Sequence, residues 1–135
     1  MINKTIAVAG VLSLGLSILH IFGGGQSVHL PALESDASDL VKAFISVVWH
    51  GVTANLLICS VMLLMAALTK THRTVLTSLV IANYLAFVGL FLFYGVTRLG
   101  TVFLMIPWTI FLLIVVVSAI GLFRARGSRN VHAQA

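Results

Sequence analysis

The sequence predicts an all-α fold, an integral membrane four-helix up-and-down bundle, formed by a single transmembrane domain over residues 1–135. Three observations predict it. Of the 135 residues, 60% are hydrophobic and 8% are charged, whereas about a quarter of the residues of a soluble domain are charged. Four apolar runs are long enough to cross a hydrocarbon core about 30 Å thick. The charged residues lie between these runs, near the ends of the runs and at the two ends of the chain.

The first helix is predicted over about residues 5–24 and ends at the glycine run Gly23-Gly24-Gly25. The apolar run from Ile6 to Phe22 is longer than the core of a typical signal peptide and contains His20, so we expect it to span the membrane uncleaved. A polar loop should follow from Gln26 to Asp39. The loop contains every acid of the chain, which are Glu34, Asp36 and Asp39.

The second helix is predicted over about residues 40–68, the third over 75–97 and the fourth over 101–123. Two short links, around Lys70 and around Arg98, join them. Short links imply that sequential helices are antiparallel neighbours. Residues 124–135 are predicted to form a basic cytoplasmic tail.

The distribution of cations predicts the orientation of the four helices. If the N-terminus is cytoplasmic, six cations lie inside and only Lys42 and Arg98 lie outside. The six are Lys4, Lys70, Arg73, Arg124, Arg126 and Arg129. Because cytoplasmic loops carry the excess of Lys and Arg, we expect a multi-pass protein of a bacterial inner membrane with both termini cytoplasmic. The net charge of +5 is explained in this way, and since the cations form no stripe with aromatic residues, nucleic-acid binding is not predicted.

Polar residues inside the helices should turn toward each other, because lipid provides no hydrogen-bond partners. Ser13, Ser17, His20 and Gly24 recur at intervals of four, three and four on the first helix and therefore share one stripe. The residues predicted to make polar contacts between helices are Ser13, Ser17, Thr53, Asn55 and Asn83.

A second group of residues should gather in the outer half of the bundle, where helix lengths place them at depths of about 5 to 15 Å. This candidate binding pocket consists of His20, His50, Trp49, Tyr94 and Trp108. Two histidines at membrane depth allow two interpretations. Neutral imidazoles can fasten helices by hydrogen bonds, or His20 and His50 can handle a ligand, a proton or a cofactor.

The layout His20-Ile-Phe-Gly23-Gly24, then Pro31-Ala-Leu33, then Trp49-His50-Gly-Val-Thr53 resembles small four-helix bacterial inner-membrane proteins of uncharacterised function. The resemblance covers about the first half of the chain. The general layout is also similar to that of DoxX-like proteins. Neither resemblance implies a reaction that could be assigned to particular residues.

The function predicted from the sequence is that of a small, non-enzymatic polytopic membrane protein that acts through a membrane-protein partner or as a homo-oligomer. No carboxylate lies inside a predicted span and no nucleophile and base pair is apparent, which disfavours a hydrolase. The alternative is a protein that binds haem, a metal, or a quinone or other lipophilic small molecule in the pocket around His20 and His50. The leading interpretation, a non-enzymatic membrane protein, predicts no cofactor.

Overall fold

The computed structural model describes residues 2–132 and the side chains of residues 2–125, and within this part of the chain it is all-helical, with four long helices and no strand. The predicted tail residues 133–135 and the side chains of Arg126 and Arg129 lie outside the described part. The elements, in chain order, are α1 (Lys4–Leu19), a π-helical segment (His20–His29), α2 (Leu30–Glu34), α3 (Asp39–Leu68), α4 (Arg73–Leu99), a 3₁₀ turn (Phe103–Met105) and α5 (Trp108–His132).

Each of the four long helices is long and apolar enough to cross a membrane, judged by length and composition. The first of them is a continuous helical rod of 31 residues, Lys4–Glu34, which comprises α1, the π-helical segment and α2 and is called the N-terminal rod below. The most apolar 18-residue windows of the four helices have mean hydropathies of 2.1 or 2.2.

The prediction that the first helix ends at the glycine run was wrong. The chain stays helical through Gly25. The backbone N–H of Leu30 donates to the carbonyl of Gly25, which is the five-residue spacing of a π-helix. The expected polar loop is helical as far as Glu34, so the actual connection to α3 is short. Glycine disfavours a helix by about 1 kcal/mol relative to alanine, yet the chain stays helical through all three glycines.

The predicted start of the fourth helix at residue 101 also differs from the structure. α5 begins at Trp108, directly after Pro107, and a 3₁₀ turn precedes it. Proline lacks the N–H that a helix interior requires, so it is placed at the helix entrance rather than inside the helix. At the other end, α5 continues to His132, through most of the residues predicted as a tail.

The four long helices form a ring in which α1 lies beside α3 and α5, and α4 also lies beside α3 and α5. Neighbours are antiparallel, because the N–H of Asn3 donates to the carbonyl of Ala67 (2.9 Å) and its side-chain amide donates to the carbonyl of Gly121 (2.9 Å). The start of the rod, the end of α3 and the part of α5 around Gly121 therefore lie at one end, where α4 also begins. We call this the basic end, and the opposite end, which carries Glu34, Asp36 and Asp39, the acidic end.

Two glycines allow close helix contacts near the basic end. A Cβ on Gly10 would lie 2.8 Å from the side chain of Leu64, and a Cβ on Gly121 would lie 2.6 Å from that of Ile6. Small residues let helix backbones approach closely. In lipid, where no hydrophobic force drives helices together, such close packing helps to hold them. The basic end is therefore tightly packed, and the space in the bundle lies nearer the acidic end.

Candidate functional site: an apolar cavity beside His20 and Trp49

A cavity of about 690 Å³ lies inside the helix ring, on the side of its acidic end. The N-terminal rod, α3, α4, the 3₁₀ turn and α5 all contribute to its walls. The lining residues are Leu16, Leu19, His20, Gly24, Val28, Val41, Phe44, Ile45, Val48, Trp49, Val52, Leu56, Phe87, Phe91, Met105, Pro107, Ile110 and Phe111. None of these residues is Asp, Glu, Lys or Arg, so the described walls offer no full charge except a protonated His20.

The cavity is elongated and opens sideways. Along α3 it reaches from Val41 to Leu56, a length of about 22 Å at 1.5 Å per residue. At its acidic end the wall residues Val28, Val41, Phe44 and Val48 are also exposed on the outer surface, and we call this region the mouth. The mouth lies between the N-terminal rod and α3, and would face lipid in a membrane.

Trp49 is held by a stack of aromatic rings at the wall of the cavity. Its indole stacks with the imidazole of His20 at 4.0 Å between ring centroids and with that of His29 at 5.0 Å, with interplanar angles of 19° and 4°. The two histidines are the first and last residues of the π-helical segment. Such segments are uncommon and often occur at functional sites, because the extra residue per turn redirects side chains.

The middle glycine of the glycine run provides the space for this indole. A Cβ on Gly24 would lie 2.8 Å from Cη2 of Trp49, whereas a Cβ on Gly23 or on Gly25 would meet nothing within 4 Å. Gly24 therefore makes room for the contact between the rod and α3. From the sequence alone, the glycine run had been predicted to end the first helix.

Among the described lining residues, His20 is the one histidine, and its imidazole has two nitrogens that can form hydrogen bonds. Its Nε2 lies 3.4 Å from the carbonyl oxygen of Trp49, and Nδ1 has no hydrogen-bond partner among the described residues. The Nε2 contact is long for a hydrogen bond. An imidazole on the wall of an apolar cavity can thus donate to or accept from a polar atom of a ligand.

Phenylalanines form the opposite wall. Phe87 stacks with Phe111 at 5.0 Å between centroids, and Phe91 lies 5.9 Å from the same ring. These rings connect α4 to α5, and Tyr84 meets Phe111 edge to face on the core side at 5.1 Å. The sequence alone did not predict this wall, although Phe87 and Phe91 lie four residues apart and therefore share one face of α4.

The structure separates the five residues of the predicted pocket. His20 and Trp49 line the cavity. His50 is exposed and its ring meets that of His29 edge to face at 5.6 Å. Tyr94 is 46% exposed and contacts Phe93 on its own helix. Trp108 is half-buried, donates from Nε1 to the carbonyl of Val102 (3.2 Å), and is not a lining residue.

Buried hydroxyl groups link three helices below the cavity. Ser13 Oγ lies 2.8 Å from Ser60 Oγ and 2.5 Å from Tyr84 Oη, and Ser17 Oγ donates to the carbonyl of Ser13 (3.1 Å). All four residues are almost completely buried. Tyr84, which the sequence reasoning missed, lies on the buried face of α4 together with Thr77, Val80 and Val88.

The asparagines predicted to join helices are also paired. Asn55 Nδ2 donates to Asn83 Oδ1 at 3.0 Å, and Asn83 Nδ2 lies 3.4 Å from Asn55 Oδ1. This pair connects α3 to α4. Thr53, in contrast, donates within its own helix to the carbonyl of Trp49 (3.0 Å).

Metal ligation by His20 and His50 is one of the alternatives that the sequence left open. Among the residues that the structure describes, no three His, Cys, Asp or Glu side chains are grouped so that they could hold a metal ion. His20 faces the cavity and His50 does not, so the two imidazoles have different surroundings.

Comparisons with protein-family models, with curated proteins and with solved structures found no match to this chain.

Proposed function

We propose that the chain is a non-enzymatic integral membrane protein of a bacterial inner membrane, crossing it four times with both termini in the cytoplasm. Four apolar helices of sufficient length support this proposal. The cation bias supports the orientation, since Lys4, Lys70, Arg73 and Arg124 all belong to the basic end, which would face the cytoplasm.

Single cysteines at the two ends test this orientation. The native Cys59 is buried, so we expect it to stay unlabelled in the folded protein. In intact spheroplasts, a membrane-impermeant maleimide should label Ser35→Cys at the acidic end, and should label Thr71→Cys at the basic end only after permeabilisation. Both positions are exposed. Labelling of Thr71→Cys in intact spheroplasts, or recovery of the protein in the soluble fraction, would contradict the proposal.

We propose further that the protein binds an uncharged lipophilic small molecule in the cavity. The single observation that carries this proposal is the cavity itself, about 690 Å³ in volume and lined by apolar side chains with one imidazole. Binding sites for small molecules usually have volumes of about 300 to 1,000 Å³ and few polar groups. An ion would lose its hydration there without a charged partner, so a neutral ligand fits the walls best.

Access from the membrane supports the same proposal. The mouth opens between the N-terminal rod and α3 through side chains that would be in contact with lipid, so a lipophilic molecule could enter without passing through water. Association with a partner or a second copy stays a prediction of the sequence, and so does haem or metal binding at His20 and His50.

Filling the cavity should remove the ligand. Val52 lines the cavity and is half-buried, so Val52→Trp places an indole in the space that a ligand would occupy. We expect the compound that co-purifies with the wild type, identified by solvent extraction and mass spectrometry, to decrease at least ten-fold relative to protein. The matched control is Val61→Trp on the same helix, which is exposed and does not line the cavity.

Circular dichroism and the unfolding midpoint should show that both tryptophan variants fold. If Val52→Trp is unstable, Ile45→Trp fills the same cavity from another position on α3. Equal amounts of bound compound in the Val52→Trp and Val61→Trp variants would contradict ligand binding in the cavity. So would a wild type that retains no lipophilic compound and binds none above the background of empty nanodiscs.

A further inference from the structure

We infer that the ligand is an uncharged lipid with a flat ring, which binds with the ring beside His20 and with its hydrocarbon tail in the mouth. This inference rests on the proposed ligand binding and adds the chemical class and the orientation of the ligand. Three features of the cavity support it: the level of its aromatic residues, the place of its one imidazole and the character of its two ends.

The aromatic residues of the two walls lie at one level of the bundle. The Asn55–Asn83 pair sets the register between α3 and α4, which are antiparallel. Moving toward the acidic end, Trp49 lies about 9 Å beyond Asn55 on α3, and Phe87 and Phe91 lie about 6 and 12 Å beyond Asn83 on α4, at 1.5 Å per residue. The indole and the phenylalanine wall therefore face each other across the middle of the cavity.

Aromatic side chains on two facing walls would favour a ligand with a flat ring between them. Aromatic rings prefer stacked or edge-to-face contacts with other aromatic rings, with centroids 4.5–7 Å apart. Phe87, Phe91 and Phe111 already make contacts of this kind among themselves, and the cavity side of their cluster has no aromatic partner in the described structure. A saturated, puckered ring of the same size would fill the volume but would lose these contacts.

At this level, His20 is the one described lining side chain that can either donate or accept a hydrogen bond, because either ring nitrogen can carry the proton. Because its imidazole stacks on Trp49, it has the same depth, and Nδ1 has no partner among the described residues. A hydroxyl or carbonyl group on the edge of the ring could bond to this nitrogen. A ligand with several polar groups would leave most of them unpaired, since the other lining side chains are apolar apart from the Trp49 indole.

The two ends of the cavity determine the direction of the tail. On the basic side, Leu16 and Leu56 are almost fully buried and close the cavity about 10 Å below Trp49. On the acidic side, Val28, Val41, Phe44 and Val48 are exposed and open to the surroundings. A tail longer than about 10 Å therefore fits only toward the mouth, where it would meet the chains of the membrane lipids.

Three matched compounds separate the contributions of ring and hydroxyl. 4-Decylphenol has both the flat ring and the hydroxyl group, decylbenzene lacks the hydroxyl, and trans-4-decylcyclohexanol has the hydroxyl on a puckered ring. Binding is measured by native mass spectrometry of the protein in nanodiscs that contain each compound at the same mole fraction. We expect 4-decylphenol to bind about five-fold more tightly than decylbenzene, the effect of one neutral hydrogen bond. We expect it to bind about three-fold more tightly than the cyclohexanol.

A histidine variant locates the hydrogen bond. His20→Phe keeps a ring that can stack on Trp49 but has no ring nitrogen, so the preference for 4-decylphenol over decylbenzene should fall to about one. The preference should persist in His72→Phe, a matched change at an exposed position of the basic end. If His20→Phe does not fold, His20→Gln should fold with the preference partly kept, because the amide can still donate.

The outcomes distinguish the inference from the proposed function. Equal binding of all three compounds, blocked by Val52→Trp, would overturn the inference and leave ligand binding in the cavity intact. The same preference in the wild type and in His20→Phe would also overturn it. Failure of all three compounds to bind, together with a wild type that co-purifies with no lipophilic compound, would overturn the proposed function itself.

Discussion

Replacing Gly24 by leucine is expected to weaken binding of 4-decylphenol at least ten-fold and to change the fluorescence of Trp49. A Cβ at position 24 would lie 2.8 Å from Cη2 of the indole, so a leucine side chain must displace it. The displaced indole would lose its stacking with His20 and His29 and would enter the cavity that it now borders. A ten-fold change corresponds to about 1.4 kcal/mol, which the loss of aromatic contacts and of ligand volume can together supply.

The two neighbouring glycines provide matched controls for this prediction. Gly23→Leu and Gly25→Leu make the same change in helix propensity, but neither added Cβ meets an atom within 4 Å. Fluorescence is recorded in a Trp108→Phe background so that Trp49 is the only tryptophan. The emission and the ligand affinity should differ from those of the parent only in Gly24→Leu. Three leucine variants with equal effects would mean that the glycine run acts through its backbone and not through contact with Trp49.

Replacing Arg73 by alanine is expected to lower the free energy of unfolding by about 2 to 3 kcal/mol. Arg73 is only 7% exposed, and its guanidinium donates from Nε to the carbonyl of Ala66 (2.9 Å) and from Nη2 to that of Ala67 (3.1 Å). These carbonyls belong to the last turn of α3, where a cation also interacts favourably with the helix dipole. Alanine would leave them without this donor and would open space at the junction of α3 and α4.

The stability change can be measured by reversible unfolding in mixed detergent micelles. Arg98→Ala is the matched control, because Arg98 is exposed in the last turn of α4, and we expect its effect to stay within about 0.5 kcal/mol. Arg73→Lys should be intermediate, since lysine keeps the charge but has no planar group that reaches two carbonyls at once. An Arg73→Ala protein as stable as Arg98→Ala would show that the guanidinium contacts contribute nothing to the basic end.

The helices were predictable where the apolar runs are uninterrupted. α3 was predicted at residues 40–68 and begins at Asp39 and ends at Leu68. The errors occurred at glycine and proline, the residues that punctuate helices. Gly23, Gly24 and Gly25 were interpreted as a helix end, whereas the contact of Gly24 with Trp49 gives the glycine a role inside a continuous rod. Local propensity cannot reveal such a contact, because Trp49 is on another helix.

The polar contacts were predictable in part. The regular spacing of Ser13 and Ser17 indicated one face, and the structure places both on the buried face of α1. On α4, Asn83 and Tyr94 were both predicted to face the interior of the bundle, yet Tyr94 is exposed. The buried tyrosine is Tyr84, which bonds to Ser13 across the bundle. Which of two tyrosines on a helix turns inward depends on the rotation of that helix against its neighbours.

By itself, the sequence determined the all-helical class, the number of long helices and the separation of basic from acidic residues along them, because these depend on composition and on the length of each run. Only the tertiary structure decided that His20 and Trp49 line a cavity while His50, Tyr94 and Trp108 do not. The physical reason is that an apolar helix suited to lipid is hydrophobic on all sides, so its pattern does not distinguish the buried face from the outer face. The positions of these side chains follow from the axial register and rotation of four packed helices, which contacts between distant residues set.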